Sequence, residues 1–436
     1  MPAFPPQSTG LAYDAAADPR LLDQLMAPAD HILRNYIRGV YRDGPVDDFR
    51  FIRIGVQRTL GQSASGRDFL QAYREVFEEI LARSSFFDSL HSKRRRSMLA
   101  ELNTQLVLRA STGSQDLLAR FPELRHRPLF GVDGHHIAHA THSPADPKGD
   151  YVSANNLYVL CLHSGMLLNL GVVQGDGIRR HEMPVFRQRI VQWSRRTDAK
   201  RRGPKPIVAA DPAFVDHAFW TLMAMDPDGI EIITRTKSNM TPIVYDRRGW
   251  DTNHPANEGV QADLLVGFAG ACTMRIIRYR DPESGAEYEF LTTVTDLAPG
   301  LIALIYLMRW RIEKVFDTGK NKLEETKGWA VGEIAQDIRA HCFALTHNLL
   351  VLLRRHLDVD KGIREEKVVN KRRKALVERE SKARESGRKV AAIQRLLPAV
   401  VQLTAQFIRT LRNGIALGMR WRAALEPLRA SMKAYL

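Results

Sequence analysis

The sequence from Leu301 to Leu323, LIALIYLMRWRIEKVFDTGKNKL, carries two patterns at helical spacing. Apolar residues recur every three or four positions, which predicts an amphipathic helix that buries one stripe against a core. They are Leu301, Ile305, Met308, Ile312, Val315, Phe316 and Leu323. Four polar residues follow the spacing Y-x2-R-x3-E-x6-K, and at about 100° per residue they share the adjoining face. They are Tyr306, Arg309, Glu313 and Lys320.

This polar face aligns the carboxylate of Glu313 with an arginine, a lysine and a phenol. Such a set suits a site that handles phosphate, because arginine and lysine side chains bind phosphate oxygens. A solvated ladder of salt bridges is the alternative interpretation of the same spacing. The choice between the two depends on acids elsewhere in the chain.

The charge of the whole chain indicates the class of partner. The chain has 436 residues, enough for two or three domains, and its 64 basic and 49 acidic residues give a formal net charge of +15. A surface of this kind binds polyanions by releasing their counterions, so nucleic acid is the expected partner. No basic amphipathic anchor or lipidation motif favours a membrane instead.

The amino terminus and the cysteines indicate the compartment. Residues 1–19 lack a basic start followed by an apolar core, so they do not resemble a secretory signal. Cys161, Cys272 and Cys342 are far apart in apolar surroundings, as expected of reduced core residues. We therefore expect a soluble cytoplasmic protein, associated with the nucleoid in a bacterial cell.

The amino-terminal part of the chain is predicted to be helical and to bind DNA. Its pattern is helical from about Pro28 to Gly113, and four consecutive cations crowd the start of one helix. They are Lys93, Arg94, Arg95 and Arg96. A cationic helix amino terminus is a plausible contact for the phosphate backbone, and a solvated basic turn is the alternative.

A strand-rich pattern follows from about Pro128. Three β-rich runs, a helix, the short strand IVAAD and another helix give the order β-β-β-α-β-α of a ribonuclease-H-like sheet, with a tight turn predicted at His163 to Gly165. Asp133 lies in the first strand and Asp211 closes the fourth. Glu182, at the start of the first helix, is compatible with a first-turn acid that the helix dipole favours. Acids at the first and fourth strands are the feature that such a sheet would require.

The predicted fold class is α/β: a ribonuclease-H-like catalytic core with a β-rich insertion, flanked by helical regions. The predicted boundaries are 1–120 for a helical DNA-binding region, 121–225 for the first part of the core, 226–299 for the β-rich insertion, 300–355 for the carboxy-terminal core helices, and 356–436 for a basic helical region that mediates dimerisation. Residues 361–389 hold twelve Lys or Arg against five Glu. They are predicted to form either a mobile basic arm or an exposed helix.

Three carboxylates, on Asp133, Asp211 and Glu313, are predicted to meet at one edge of the sheet. Carboxylate oxygens suit Mg²⁺ or Mn²⁺, and two such ions about 4 Å apart can activate the attacking oxygen and stabilise the leaving oxygen in phosphoryl transfer. Four histidines also follow Asp133, at His135, His136, His139 and His142. Alternate side chains of a strand point to opposite faces, so the four do not converge on a metal.

With these residues in place, the chain resembles the DDE transposases of bacterial insertion sequences, in the fourth insertion-sequence family. The Y-R-E-K signature is complete at Tyr306, Arg309, Glu313 and Lys320. The sequence RWRIEKVF around it is characteristic of the family, and the match covers roughly Phe130 to Trp329. One departure is that Pro212 and Ala213 follow Asp211 where the family commonly has an Arg-Gly pair.

The resemblance implies an enzyme that cuts double-stranded DNA at terminal inverted repeats and joins the freed 3′ ends to target DNA as a synaptic homodimer. It implies that Asp133, Asp211 and Glu313 hold two Mg²⁺ ions, which Mn²⁺ can replace. Arg309 and Lys320 would hold phosphate, and Tyr306 would contact a phosphate or orient a ligand. A catalytically silent DNA-binding repressor and a ribonuclease-H-like nuclease without strand transfer are the alternative functions.

Overall fold

A computed structural model describes residues 13, 18–43, 46–61, 65–77, 82–109, 118–137, 139–140, 154–173, 182–197, 203–282, 284–323, 325, 327–330, 332–363, 366–387 and 403–432. Most of the amino-terminal leader, His142 and the end of the basic segment at 388–389 lie outside these residues. The described chain is a mixed α/β protein in which helices flank a large mixed sheet.

The helices are α1 Leu21–Asn35, α2 Asp48–Leu60, α3 Gly66–Phe77, α4 Arg83–Ser89, α5 Lys93–Arg109, α6 Met183–Thr197, α7 His217–Met225, α8 Pro299–Arg309, α9 Arg311–Lys322, α10 Glu333–Lys361, α11 Glu366–Glu385, α12 Ala405–Ala416 and α13 Trp421–Met432. None of these helices is long and apolar enough to cross a membrane. Helices α1 to α5 agree with the helical pattern predicted for the amino-terminal region. Helix α11 agrees with the exposed-helix alternative for the basic segment.

The strands are β1 Leu129–Ile137, β2 His139–Ala140, β3 Ala154–Cys161, β4 Leu167–Val172, β5 Ile207–Ala209, β6 Glu231–Arg235, β7 Ile243–Arg247, β8 Val260–Gly267, β9 Met274–Arg280, β10 Glu287–Thr292 and β11 Lys327–Gly328. Nine of these strands form one sheet in the order β4-β3-β1-β5-β6-β10-β9-β8-β7. β1 is antiparallel to β3 and parallel to β5, and β6 continues the parallel set. The carboxyl ends of β1, β5 and β6 therefore lie at the same edge of the sheet.

The turn predicted between the second and third β-rich runs is confirmed. It joins β3 to β4, and Gly165 within it has a φ of 67°. This left-handed conformation is one that glycine adopts without steric cost.

The β-rich block at 226–299, predicted as an insertion, contributes strands that extend the main sheet. β6 pairs with β5 on one side and with β10 on the other, and β9, β8 and β7 then follow in order. Since β6 carries hydrogen bonds on both edges, no break in pairing separates the block from the core.

Both faces of the sheet are covered by helices, and alternate residues of its strands serve the two faces. In β3, Leu157 and Val159 pack in the apolar cluster that contains side chains of α6 and α7. Tyr158 and Leu160 belong to the cluster that contains side chains of α8, α9 and α10. This alternation is what the two-residue period of a strand requires.

The stretch from Leu301 to Leu323 forms two helices rather than the single predicted one. α8 ends at Arg309 and α9 begins at Arg311, and Trp310 between them has φ −59° and ψ −10°. The apolar stripe of this stretch is buried as predicted. The 100° rule holds only within one helix, so it does not place Tyr306 and Arg309 of α8 on a common face with Glu313 and Lys320 of α9.

Candidate active site

Asp133 lies in the middle of β1, with 24% of its side chain exposed. Its Oδ1 accepts a hydrogen bond from the backbone nitrogen of Gly134 at 2.9 Å. Burial raises the pKa of Asp133, the charge of Arg309 lowers it, the charge of Glu313 raises it again, and the net direction is upward. A cation beside this carboxylate relieves the cost of burying its charge.

Arg309 supplies such a cation at the end of α8. Its Nη1 donates to Oδ2 of Asp133 at 2.8 Å, and its Nη2 donates to Oε1 of Glu313 at 3.3 Å. Its side chain is 4% exposed, whereas that of Glu313 is 51% exposed. The guanidinium therefore bridges a half-buried acid of the sheet and a solvent-facing acid of α9.

Asp211 follows β5 and caps a short 3₁₀ turn, Pro212–Phe214. Its Oδ1 accepts a hydrogen bond from the backbone nitrogen of Ala213 at 2.9 Å. Burial is the largest influence on the pKa of Arg309, Tyr306 and Glu182. The charge of Asp211 raises the pKa of each of these three groups. The carboxylate of Asp211 thus acts, like that of Asp133, on Arg309 and Glu182.

Tyr306 is 2% exposed, and Cζ of Arg309 lies over its ring, 5.6 Å from the centroid. Burial raises the pKa of its phenol, and the charges of Arg309 and Arg235 lower it, with a net increase. Arg235 ends β6 and is exposed. Sequence reasoning missed this residue, although it closes the strand that follows Asp211 and therefore reaches the same edge of the sheet.

Lys320 lies farther from Arg309 than Tyr306 and Glu313 do. It is exposed near the end of α9, about 10 Å along the helix axis from Glu313 at 1.5 Å per residue. Its charge lowers the pKa of His135, after the larger effects of burial and Arg339. The structure thus brings Tyr306, Arg309 and Glu313 together and leaves Lys320 at the margin.

Glu182, the residue before α6, is a second acid beside β1. Its Oε1 accepts a hydrogen bond from Nδ2 of Asn155 at 3.3 Å. A Cβ atom added to Gly134 would overlap this same Oε1, so the carboxylate lies directly against the backbone that follows Asp133. Burial raises the pKa of Glu182, the bond from Asn155 lowers it, and the charges of Asp133 and Asp211 raise it.

The donor chemistry of this group fits Mg²⁺ or Mn²⁺, because all of its anionic side chains are carboxylates. The guanidinium of Arg309 already stands as a cation between two of them. Within the described ranges, however, no three His, Cys, Asp or Glu side chains are arranged to hold one metal ion. The carboxylates of Asp133 and Glu313 each direct one oxygen at Arg309 instead.

The predicted DNA contact at the start of α5 is largely occupied by other interactions. Both Nη atoms of Arg94 bind the carboxylate of Asp48, at 2.7 and 2.6 Å, and Nε of Arg95 binds it at 3.2 Å. Nε of Arg96 lies 3.8 Å from Asp337, and Lys93 is exposed. A role of these four residues in binding DNA stays a prediction.

His135 is a core residue rather than an open ligand. It is 1% exposed, and its ring stacks on Phe316 with the centroids 4.5 Å apart. Burial, Arg339, Lys320 and His136 lower its pKa to about 3. The imidazole is therefore neutral at physiological pH.

No family model matches the chain, and no curated protein matches it. Among solved structures, the chain is similar to the piggyBac transposase of a cryo-EM synaptic complex with hairpin DNA, with a TM-score of 0.39 and 10% sequence identity over 94% of this chain and 82% of that chain.

Proposed function

We propose that the chain is a DNA transposase that binds the ends of an insertion sequence, cleaves the DNA there and joins the 3′ ends to target DNA. The observation that supports this proposal is the bridge that the guanidinium of Arg309 makes between Asp133 and Glu313. Asp133 and Glu313 are hydrogen-bonded to Arg309, and the charge of Asp211 acts on it as well.

A ribonuclease-H-like core is part of the proposal. The strand order β4-β3-β1-β5-β6 supports it, with β3 antiparallel to β1 and with β5 and β6 parallel to it. Asp133 on β1 and Asp211 after β5 occupy the first and fourth strands of that arrangement. These are the two strands on which such a core needs its acids.

Two Mg²⁺ ions, replaceable by Mn²⁺, are the proposed cofactors. Asp133 and Asp211 would hold them, and Glu313 would complete the second ion's ligands. When bound, such ions activate the attacking oxygen and stabilise the leaving oxygen of a phosphodiester. Arg309 is hydrogen-bonded to both Asp133 and Glu313, and its planar guanidinium would contact a phosphate beside them.

A contact surface for DNA is proposed on α11. The described side chains of Arg373, Lys374, Lys382 and Arg384 are exposed on this helix. Exposed cations of this kind bind the phosphate backbone without reading sequence. A synaptic homodimer is the proposed assembly, since both ends of an element must be held together.

The test uses linear DNA that carries the terminal repeats flanking the gene, together with a supercoiled target plasmid. We expect cleavage at the repeat ends with Mg²⁺, none with EDTA, and joined products in the plasmid. Binding without cleavage would identify a silent repressor, and cleavage without joining would identify a nuclease. Either result would overturn the proposal.

A further inference from the structure

We propose that the cavity between α5, α6, α10 and β4 binds one phosphate group, and that the DNA backbone supplies this group. The inference rests on the proposed function only for the source of the phosphate. The cavity uses none of the residues of the candidate active site, and one of its walls is formed by a cation from the run at the start of α5.

The cavity is a polar space of about 230 Å³ beside β4, the strand at one edge of the sheet. This volume is far more than one water molecule requires, so the cavity has room for a small anion together with water. Its charged and hydrogen-bonding walls include Arg96 and Asn103 of α5, Asn169 of β4, Arg189 of α6, and Asp337 and His341 of α10.

Two arginines reach the cavity from different helices, Arg96 from α5 and Arg189 from α6. Nε of Arg96 lies 3.8 Å from Oδ2 of Asp337, beyond hydrogen-bond distance. Arg189 lies against β4, because a Cβ atom added to Gly171 would be 3.8 Å from its Nε. It forms no ion pair with any residue that the structure describes. Both guanidinium groups therefore have donors available, and a guanidinium can bind two phosphate oxygens at once.

His341 is a buried wall of the cavity with unused hydrogen-bonding capacity. The residue is 5% exposed, and its Nδ1 has no hydrogen-bond partner among the described residues. Its Nε2 lies 3.9 Å from Oδ1 of Asp337, too far for a hydrogen bond. Buried polar atoms are almost always hydrogen-bonded. A neutral imidazole donates from one nitrogen, so an acceptor such as a phosphate oxygen would satisfy this ring.

The charges that line the cavity favour an anion with a single negative charge. Burial lowers the pKa of His341, an effect that Asp337 opposes and that the charges of Arg96 and Arg189 reinforce, so the imidazole is neutral at physiological pH. Two arginines and one aspartate then leave a net charge of +1 on the walls. A phosphodiester group of DNA carries a single negative charge, which balances this excess.

The direction of Arg96 separates it from its neighbours in the basic run. Arg94 and Arg95 bind the carboxylate of Asp48, whereas Arg96 faces the cavity. Successive residues of a helix are about 100° apart, so the run does not form one common surface. Arg96 is the member of the run that can share a ligand with a second helix.

The first test is fluorescence anisotropy of the full chain with a terminal-repeat duplex at several salt concentrations. Arg96→Gln and Arg189→Gln each remove one charge, and the double variant removes both. Arg74→Gln, at an exposed site of α3, is the matched control. The slope of log affinity against log salt concentration reports the number of phosphate contacts, at about 0.9 per contact.

We expect the double variant to reduce this slope by about 0.9, the value for one phosphate contact, and neither single variant to exceed that reduction. The control should keep the wild-type slope. A reduction of about 1.8 in the double variant, the sum for two separate contacts, would overturn the shared site. An unchanged slope would overturn it as well.

The second test uses no DNA and compares melting temperatures in sodium phosphate and in sodium chloride of equal ionic strength. A ligand that binds the folded state raises the melting temperature. Phosphate also stabilises proteins by exclusion from their surface, and wild type and variants share that effect. We expect phosphate to raise the melting temperature of wild type and of Arg74→Gln by more than that of the double variant. Equal shifts in these proteins would overturn the inference.

The two tests separate this inference from the proposed function. DNA binding that depends on the two arginines, in a chain that does not cleave DNA, would refute the proposed function and support the inference. A phosphate-dependent shift that needs the two arginines, in a chain whose DNA affinity does not, would assign the cavity to a free phosphate compound. That result would overturn DNA as the source of the phosphate.

Discussion

Arg309 donates from Nη1 to Oδ2 of Asp133 across 2.8 Å, although the two residues lie 176 positions apart in the chain. This bond ties the end of α8 to β1 and places the second signature residue against the first acid. Its partner is half-buried and the arginine almost wholly so. The pair is therefore costly to break on one side only, because an uncompensated charge would remain.

Replacing Arg309 tests this bond. We expect Arg309→Ala to lower the free energy of unfolding by about 1–3 kcal/mol, since Asp133 loses its charged donor but keeps some solvent. Arg309→Lys should recover only part of the loss, because one ammonium group cannot bridge two carboxylates as a guanidinium does. Urea unfolding measures both variants.

Arg429→Ala is the control for Arg309, since its ion pair with Glu426 is exposed. A pair of this kind contributes at most about 1 kcal/mol. An Arg309→Ala protein as stable as the control would mean that the bridge does not hold the site together.

The basic run at the start of α5 gives a second prediction. Asp48 is fully buried and binds Arg94 and Arg95, so Asp48→Asn should destabilise the fold by about 3 kcal/mol. Lys93→Ala, on the exposed cation beside them, should change stability by no more than about 0.5 kcal/mol. Thermal or urea unfolding compares the two, and equal effects would contradict the structural role of the pairing.

Some of this arrangement could be predicted from sequence and some could not. The buried stripe from Leu301 to Leu323 follows from local periodicity, and so do the turn at Gly165 and the position of Asp133 on a strand. The pairing of Arg94 with Asp48 spans 46 positions, and local spacing carries no information about such a partner. For this reason the sequence alone predicts an exposed basic surface at residues 93–96.

The same limit applies to the sheet and to the site. Periodicity predicts strands in residues 226–299, but it does not predict that β10 pairs with β6 and extends the main sheet. It also assigns Glu182 to a helix start without showing that Gly134 leaves room for its carboxylate. Both features depend on contacts between distant segments.

A third prediction concerns pH and two buried histidines. Burial lowers the pKa of His135 to about 3 and that of His347 to about 4, so both stay neutral in the folded chain. An unfolded histidine takes up a proton below about pH 6.5, so the unfolded state binds more protons and stability falls as pH drops from there toward 4. The expected slope is at most about 1.4 kcal/mol per pH unit for each histidine.

Unfolding in urea at several pH values between 7.5 and 4.5 checks this prediction. His347→Gln keeps a donor for the carbonyl of Gly165, which Nε2 of His347 contacts at 2.9 Å, but cannot titrate. His347→Gln should reduce the slope of stability against pH by about the contribution of one histidine. His91→Gln, at an exposed site, should not reduce it. The same dependence of unfolding free energy on pH in the wild-type chain and in both variants would refute the assignment of part of this dependence to His347.

A fourth prediction concerns DNA affinity and α11. The variant Arg373→Ala, Lys374→Ala, Arg384→Ala removes three exposed cations. The plot of log affinity against log salt concentration should become less steep by up to about 2.7, at about 0.9 per phosphate contact. Fluorescence anisotropy with terminal-repeat and scrambled duplexes measures this slope. Because backbone contacts carry no sequence information, both duplexes should lose affinity alike.

An unchanged slope would remove α11 from the DNA surface. Loss confined to the terminal-repeat duplex would also contradict the prediction, since it would point to base contacts. Melting of the variant should match wild type, because the changed side chains are exposed.

The most direct test of the central claim is single-turnover cleavage of terminal-repeat DNA, measured beside end binding, for Asp133→Asn, Asp211→Asn and Glu313→Gln. Each change removes one anionic group and little surface, so we expect cleavage with Mg²⁺ to fall by a factor of about 10³ or more while binding is retained. Near-normal cleavage in any one variant would remove that residue from the site. Near-normal cleavage in all three would refute the proposal that these carboxylates cut DNA.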